Sequence, residues 1–329
     1  RAPRSYLLEN RQGRFRDVTA QASQALLRPG MVTDALWTDL QGDGRAELVL
    51  AGEWMPIRVF EPQADGTFAE ITGEMGLGES SGWWYALKAH DFDGDGDPDL
   101  IAGNRGRNAQ MQARSEEPAS VYAADFDRDG GVEPIMSYYL QGKAYPVYWR
   151  DVLAREIPPL EEAFPTYASY AEATTSEVLA ALQAGDRQAD DVQQFTARTF
   201  ATSVFENRNG ESLERRALPV QAQFAPVRAF AISDVNKDGR DDVLLAGNDF
   251  TVRPQWGRFD AGKGIVLLNR GDLRFEAASV SASGFWAPKD ARDLALVNTP
   301  QGPIILVVNN NDSLGVFAPP ASPSEVAVR

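Results

Sequence analysis

Apolar and polar residues alternate over several short stretches of this chain. The clearest are Gly13-Arg-Phe15-Arg-Asp-Val18-Thr19 and Gly66-Thr-Phe68-Ala-Glu-Ile71-Thr72, with a weaker copy at Leu273-Arg-Phe275-Glu and a degenerate one at Glu211-Ser-Leu213-Glu. A period of two is that of a half-buried β-strand. Short wholly apolar runs also recur: Leu48-Val49-Leu50, Leu100-Ile101, Ile135-Met136 and Val243-Leu244-Leu245. Each of these follows an acidic stretch. The predicted unit is therefore an inner strand, an acidic loop, a second strand, a third strand, a turn and a Phe-centred strand.

The acidic loops begin at Asp39, Asp91, Asp125 and Asp234, at intervals of 52, 34 and 109 residues. Repeats of this size predict an all-β fold, a β-propeller of four-stranded blades, about five to six in number and some incomplete. The short interval implies a blade that lacks outer strands. The long one implies an insertion at about 144–200, where Asp151–Ile157 and Tyr170–Leu182 have helical spacing, and two or three helices are expected there. A fifth unit, with strands at Asp293–Val297 and Ile304–Val308, has lost its acidic loop. Residues 1–318 are read as propeller and 319–329 as a C-terminal tail. Pairing Tyr6–Thr19 with 290–318 would close the ring and remove exposed edges; the alternative is a piece of a larger propeller.

The loops place oxygen ligands at positions 1, 3, 5 and 9 and glycine at position 6. They supply Asp39, Gln41, Asp43 and Glu47; Asp91, Asp93, Asp95 and Asp99; Asp125, Asp127, Asp129 and Glu133; and Asp234, Asn236, Asp238 and Asp242. Six to eight oxygens at ~2.3–2.6 Å suit Ca²⁺, and a glycine permits the sharp turn around the ion. Three to four calcium sites are expected, the first the weakest because Gln41 and Glu47 replace aspartate. The net charge of −15 follows in part from this demand, since sixteen carboxylates lie in the loops. That balance argues against nucleic acid as a partner.

The second and fourth loops resemble those of FG-GAP/VCBS repeats, a family that includes integrin α-subunit propellers. The phrases Tyr6-Leu-Leu-Glu-Asn10…Gly13-Arg-Phe15 and Arg253-Pro-Gln-Trp256-Gly-Arg258-Phe-Asp260 are similar to bacterial members of the ASPIC/UnbV-associated type. The resemblance implies a calcium-bound propeller, exported to the cell surface, periplasm or exterior, often without enzymatic activity.

With one histidine, His90, and no cysteine, most nucleophile–base pairs are unavailable. No run approaches the ~20 apolar residues of a membrane span. Connections between second and third strands must emerge opposite the acidic loops. They hold Trp54, Arg105, Arg107, Ser137–Tyr139, Trp256 and Arg258, and several of these are residue types common at recognition hot spots. The expected function is a protein- or glycan-binding scaffold that uses Trp54, Arg105, Arg107, Trp256 and Arg258. The alternative is a lyase-like polysaccharide-active enzyme on the same face.

Overall fold

The structure is a computed structural model, described here for residues 2–184, 192–253 and 257–319. Strands take 40% of the chain and helices 13%, as an all-β, propeller-like fold requires. Among the described residues no helix is long and apolar enough to cross a membrane.

Two compact units emerge, one of residues 1–108 with 200–329 and the other of 109–199. The first opens with a hairpin, β1 (Leu8–Arg11) and β2 (Arg14–Asp17). The first blade is a meander of β3 (Met31–Thr38), β4 (Glu47–Met55), β5 (Arg58–Pro62) and β6 (Phe68–Glu70). The second blade starts with β7 (Gly82–His90) and β8 (Asp99–Asn104).

The chain then leaves to build the second unit. There β9 (Ala119–Ala124), β10 (Glu133–Leu140), β11 (Lys143–Pro146) and β12 (Gln193–Ala197) form a sheet in the order β11-β10-β9-β12. The third acidic loop joins β9 to β10. Among the described residues four short helices follow β11: Arg150–Glu156, Pro159–Ala163, Tyr167–Glu172 and Thr175–Leu182. The predicted helical run from Tyr170 to Leu182 is broken because Thr174 caps a new helix, its hydroxyl accepting from Glu177 N–H while Glu177 accepts from Thr174 N–H.

The chain returns to the second blade as β13 (Ser203–Asn207) and β14 (Leu213–Ala217), with β13 pairing on β8. This corrects two expectations. The second blade does not lack outer strands; they arrive after the excursion, and the Leu213 phrase is its fourth strand. The helices expected at about 144–200 are part of a longer unit, 109–199, placed between the second and third strands of that blade.

The third blade is complete: β15 (Ala229–Ser233), β16 (Asp242–Ala246), β17 (Ile265–Asn269) and β18 (Phe275–Ala278). The fourth has β19 (Ala291–Thr299), β20 (Gly302–Asn309) and β21 (Gly315–Phe317). The expected closure is not formed among the described residues. β21 takes the third place in the last sheet, β1 pairs only with β2, and Leu7 packs instead on the first blade beside Leu26, Leu50 and Phe60.

The second strands of the first three blades, β4, β8 and β16, are mostly apolar because both of their faces are covered. In β8, Leu100 and Ala102 join Val49, Val59 and Trp84, whereas Ile101 joins Phe230 and Val243. In β16, Val243 and Leu245 face that same cluster, while Leu244 and Ala246 join Phe285, Leu294 and Ile305. Successive side chains point to opposite faces of a strand, so one strand welds two blades. Each fully buried aliphatic side chain contributes about 1.5–3 kcal/mol. The approach is close: a Cβ on Gly247 would lie 2.0 Å from the Pro226 carbonyl oxygen, and one on Gly103 2.3 Å from that of Val227.

Candidate metal loops and an aromatic–guanidinium cluster

All four acidic loops share one backbone plan. The position-1 aspartate accepts the N–H of the position-6 glycine: Gly44 to Asp39 at 2.8 Å, Gly96 to Asp91 at 3.0 Å, Gly130 to Asp125 at 3.0 Å and Gly239 to Asp234 at 2.9 Å. These glycines have φ between 84° and 101°, a region costly for any residue with a Cβ. The position-9 carboxylate accepts the position-2 N–H: Leu40 to Glu47, Phe92 to Asp99, Phe126 to Glu133 and Val235 to Asp242, at 2.7, 3.1, 2.8 and 3.0 Å. Each loop is thus wrapped before any ion is considered.

In three loops the ligand oxygens gather within 4.8 Å of one another: Asp39, Asp43 and Glu47; Asp91, Asp93 and Asp99; and Asp125, Asp127, Asp129 and Glu133. The fourth loop contributes Asn236, whose backbone N–H and that of Val235 both lean on Asp242 Oδ2. Withdrawal from water pushes Asp99 and Asp242 up to about 6, and raises Glu47 and Glu133 as well. Glu47 is fully buried, and its Oε1 has no hydrogen-bond partner; Asp125 Oδ1 is likewise buried and unpartnered. Buried unpaired carboxylate oxygens are costly. An all-oxygen set with such orphans fits a hard cation. In loops one and four an arginine at position 7 already holds the position-5 carboxylate, Arg45 on Asp43 and Arg240 on Asp238, both at 2.7 Å.

The far ends of β4 and β8 carry a second constellation. Trp54 packs on Trp83 with ring centroids 5.0 Å apart and the ring planes tilted by 44°. Arg105 lies 4.6 Å from the Trp83 ring, 4.7 Å from that of Phe259 and 5.8 Å from that of Phe200. Glu53 pairs in register with Trp83, and burial raises its carboxyl despite the Trp83 indole, Arg228 and Arg105 nearby. Arg228 covers Tyr85 at 4.1 Å and holds Asp249 at 2.8 Å. Trp54 adopts φ of 59°, so its burial against Trp83 is bought with backbone strain.

Two of the five residues expected at the recognition face, Trp54 and Arg105, therefore meet on Trp83. Arg107 and Arg258 are exposed, Arg107 anchored through its N–H to Gln223 and Arg258 over Phe250 at 5.4 Å. Trp256 lies outside the described residues. Ser137–Tyr139 are not a connection at all but part of β10. His90 is packed rather than catalytic in setting, its ring on Phe92 and its Nε2 3.0 Å from Asp241. Sequence reasoning missed Trp83 as the hub, Phe200 as its neighbour and Phe259 over Arg105, because no spacing joins them. It also missed Asn207 and Asn269, although the phrase Asn-Arg followed by glycine recurs at 10, 104, 207 and 269.

Stacked antiparallel sheets whose first hairpins carry acidic loops define a propeller-type repeat protein. Residues 39–102, which span the first two loops, match the FG-GAP-like repeat. No curated protein sequence matches it. Among solved structures it is similar to the V. cholerae biofilm matrix protein Bap1, at 11% identity and a TM-score of 0.29, covering 90% of this chain and 64% of that one. It is also similar to an Agrocybe aegerita lectin that recognises non-reducing terminal N-acetylglucosamine, at 14% identity and a TM-score of 0.19, covering 91% of this chain and 83% of the lectin. The chain thus spans less than two thirds of the length of Bap1.

Proposed function

We propose that this chain is an exported, calcium-stabilised propeller that works as a protein- or glycan-binding scaffold, with its recognition surface at the strand ends away from the acidic loops. The observation that carries this reading is the cluster in which Trp54, Phe200 and Arg105 meet on Trp83 while Phe259 packs on Arg105. Trp and Arg are the residue types enriched at binding hot spots; Trp54 and Arg105 are packed within the chain and would hold the exposed rim in place. Arg107 and Arg258 supply the exposed rim.

The ions would be held by Asp39, Gln41, Asp43 and Glu47; by Asp91, Asp93, Asp95 and Asp99; by Asp125, Asp127, Asp129 and Glu133; and by Asp234, Asn236, Asp238 and Asp242. Bound calcium neutralises these carboxylates and gives Glu47 Oε1 the partner that it lacks. Placement outside the cell rests on the likeness of the repeats to exported proteins and on the calcium levels that weak oxygen sites require. The lyase-like alternative would draw on Tyr85, whose ring lies 4.1 Å from the Arg228 guanidinium.

The test is a screen of the calcium-loaded chain against glycan arrays and copurifying extracellular proteins, repeated with Arg107→Ala/Arg258→Ala. Both side chains are exposed, so folding is unaffected, and the reading expects affinity to fall by ~1–4 kcal/mol. Full-strength binding by the double variant, or by Trp83→Ala with an intact fold, overturns it.

A further inference from the structure

Asn207 ends β13 and Asn269 ends β17, the third strands of the second and third blades, and the two make the same four connections. The backbone N–H of Asn207 donates to Asp99 Oδ1, and that of Asn269 to Asp242 Oδ1, each at 2.9 Å. Each side-chain oxygen accepts a glycine N–H in the following turn, Gly210 and Gly271, both at 2.9 Å. Each side-chain NH₂ donates to the position-8 carbonyl of its own blade's acidic loop, Pro98 at 3.1 Å and Asp241 at 3.3 Å. The same NH₂ also crosses to the preceding blade and donates to the position-2 carbonyl of that blade's loop, Leu40 at 2.8 Å and Phe92 at 2.7 Å.

The repetition matters because position 2 is flanked by ligands. Leu40 lies between Asp39 and Gln41, and Phe92 between Asp91 and Asp93. The N–H of each position-2 residue is held by the position-9 carboxylate, Glu47 or Asp99. One unbroken hydrogen-bonded line therefore runs from Glu47 through Leu40, Asn207, Asp99, Phe92 and Asn269 to Asp242. Both asparagines are almost wholly buried, Asn207 at 2% and Asn269 at 1% exposure, so water does not replace these bonds. His90 adds a parallel link between the second and fourth loops by its approach to Asp241. Asn10, in β1, repeats the local half of the device, with its oxygen accepting from Gly13 N–H at 2.8 Å.

We propose that Asn207 and Asn269 are positioning residues that couple the calcium loops of successive blades, so that filling one loop favours filling the loop of the blade before it. The proposal rests on the calcium reading above. An ion that draws in Asp99 or Asp242 fixes the asparagine N–H, and the asparagine NH₂ then fixes the carbonyl between two ligands of the neighbouring loop. Linkage makes the effect reciprocal. Partners that orient ligands from outside typically change metal affinity 10–100-fold.

The experiment is hydrogen exchange of the whole chain as a function of added Ca²⁺, read separately over residues 39–47, 91–99 and 234–242. Asn269→Ala should raise the calcium concentration for half-protection of 91–99 and 234–242 about tenfold and leave 39–47 close to wild type. Asn207→Ala should shift 39–47 and 91–99 and leave 234–242. Asn→Ser at either position is the second variant should alanine fail to fold: its hydroxyl still accepts from the turn glycine but cannot span two carbonyls. Unchanged midpoints overturn the coupling, and so does a uniform shift of all three loops, which marks general destabilisation. Absence of calcium protection in the wild-type chain overturns the calcium reading itself, a different and separately visible result.

Discussion

Pro62 occupies in the first blade the register position that Asn207 holds in the second. Each lies two residues beyond a matched pair, Phe60 with Leu48 and Phe205 with Leu100. Proline has no N–H, so the position-9 carboxylate of the first loop has one oxygen without the third-strand donor that Asp99 and Asp242 receive. That oxygen is Glu47 Oε1, buried and unpartnered. Replacing Pro62 with asparagine restores a donor. An unsatisfied buried acceptor costs about 1–3 kcal/mol, whereas giving up proline's restriction of the unfolded chain costs about 0.4–1 kcal/mol. Pro62→Asn should therefore be more stable than wild type in EDTA, by about 1 kcal/mol, and the gain should shrink in saturating calcium. Paired denaturation curves with and without calcium check this.

Chelation is expected to lower the melting temperature. An ion that binds only the folded chain stabilises it by about 2.7 kcal/mol at a hundred times its dissociation constant. The loops also crowd carboxylates whose mutual repulsion the ion relieves. Thermal scans across a calcium series should show a monotonic rise, and scans in EDTA that match those in calcium would contradict the site assignment.

Gly247→Ala should destabilise the chain by about 1–3 kcal/mol, the usual cost of overpacking. The clash is with backbone, the Pro226 carbonyl, which cannot rotate aside. Denaturant unfolding measures it. The effect should persist at every calcium concentration, which separates packing of the blade from loading of the loops.

Glu53 carries a pH dependence of determinate sign. Burial raises its folded pKa above the unfolded value. A carboxyl raised in this way favours folding while it stays protonated, and the advantage is lost as pH climbs through the folded value. Glu53→Gln should therefore gain stability relative to wild type between acid and neutral pH. Melting temperatures of the two proteins, measured in parallel across that range, provide the check.

The sequence made legible those features that depend on fixed local spacing. Ligand positions and the position-6 glycine placed all four loops, and the Phe-centred phrases around Phe68 and Phe275 marked true fourth strands. It obscured whatever depends on pairing between distant strands. The second unit carries an acidic loop between two strands, Asp125 to Glu133, so locally it looks like one more blade. Only the ladder from Ser203–Phe205 to Leu100–Ala102 shows that the second blade resumes after it. The cluster around Trp83 and Arg105 was hidden for the same reason, since Trp54, Arg105, Phe200 and Phe259 share no period. The non-glycine residues Arg128 and Lys237, which take left-handed φ at position 4 of their loops, could not be anticipated from chemistry alone.

The excursion between β8 and β13 also sets a clock. Asn104 N–H and Thr202 Oγ1 are hydrogen-bonded although they stand 98 positions apart. In equilibrium terms the detour is cheap, since doubling a loop adds only about 0.6 kcal/mol. In time it is not. At about 5–20 residues per second, a ribosome finishes β8 and then works for roughly 5–20 seconds before β13 exists to pair with it. For that interval Leu100, Ile101 and Ala102 form a bare apolar edge, open to any passing strand. A fold of 109–199 during the wait brings the two ends together, as the 2.8 Å bond from Gly106 N–H to Phe200 records in the finished chain. The order of synthesis thus lets the guest be complete before the second blade of its host can be.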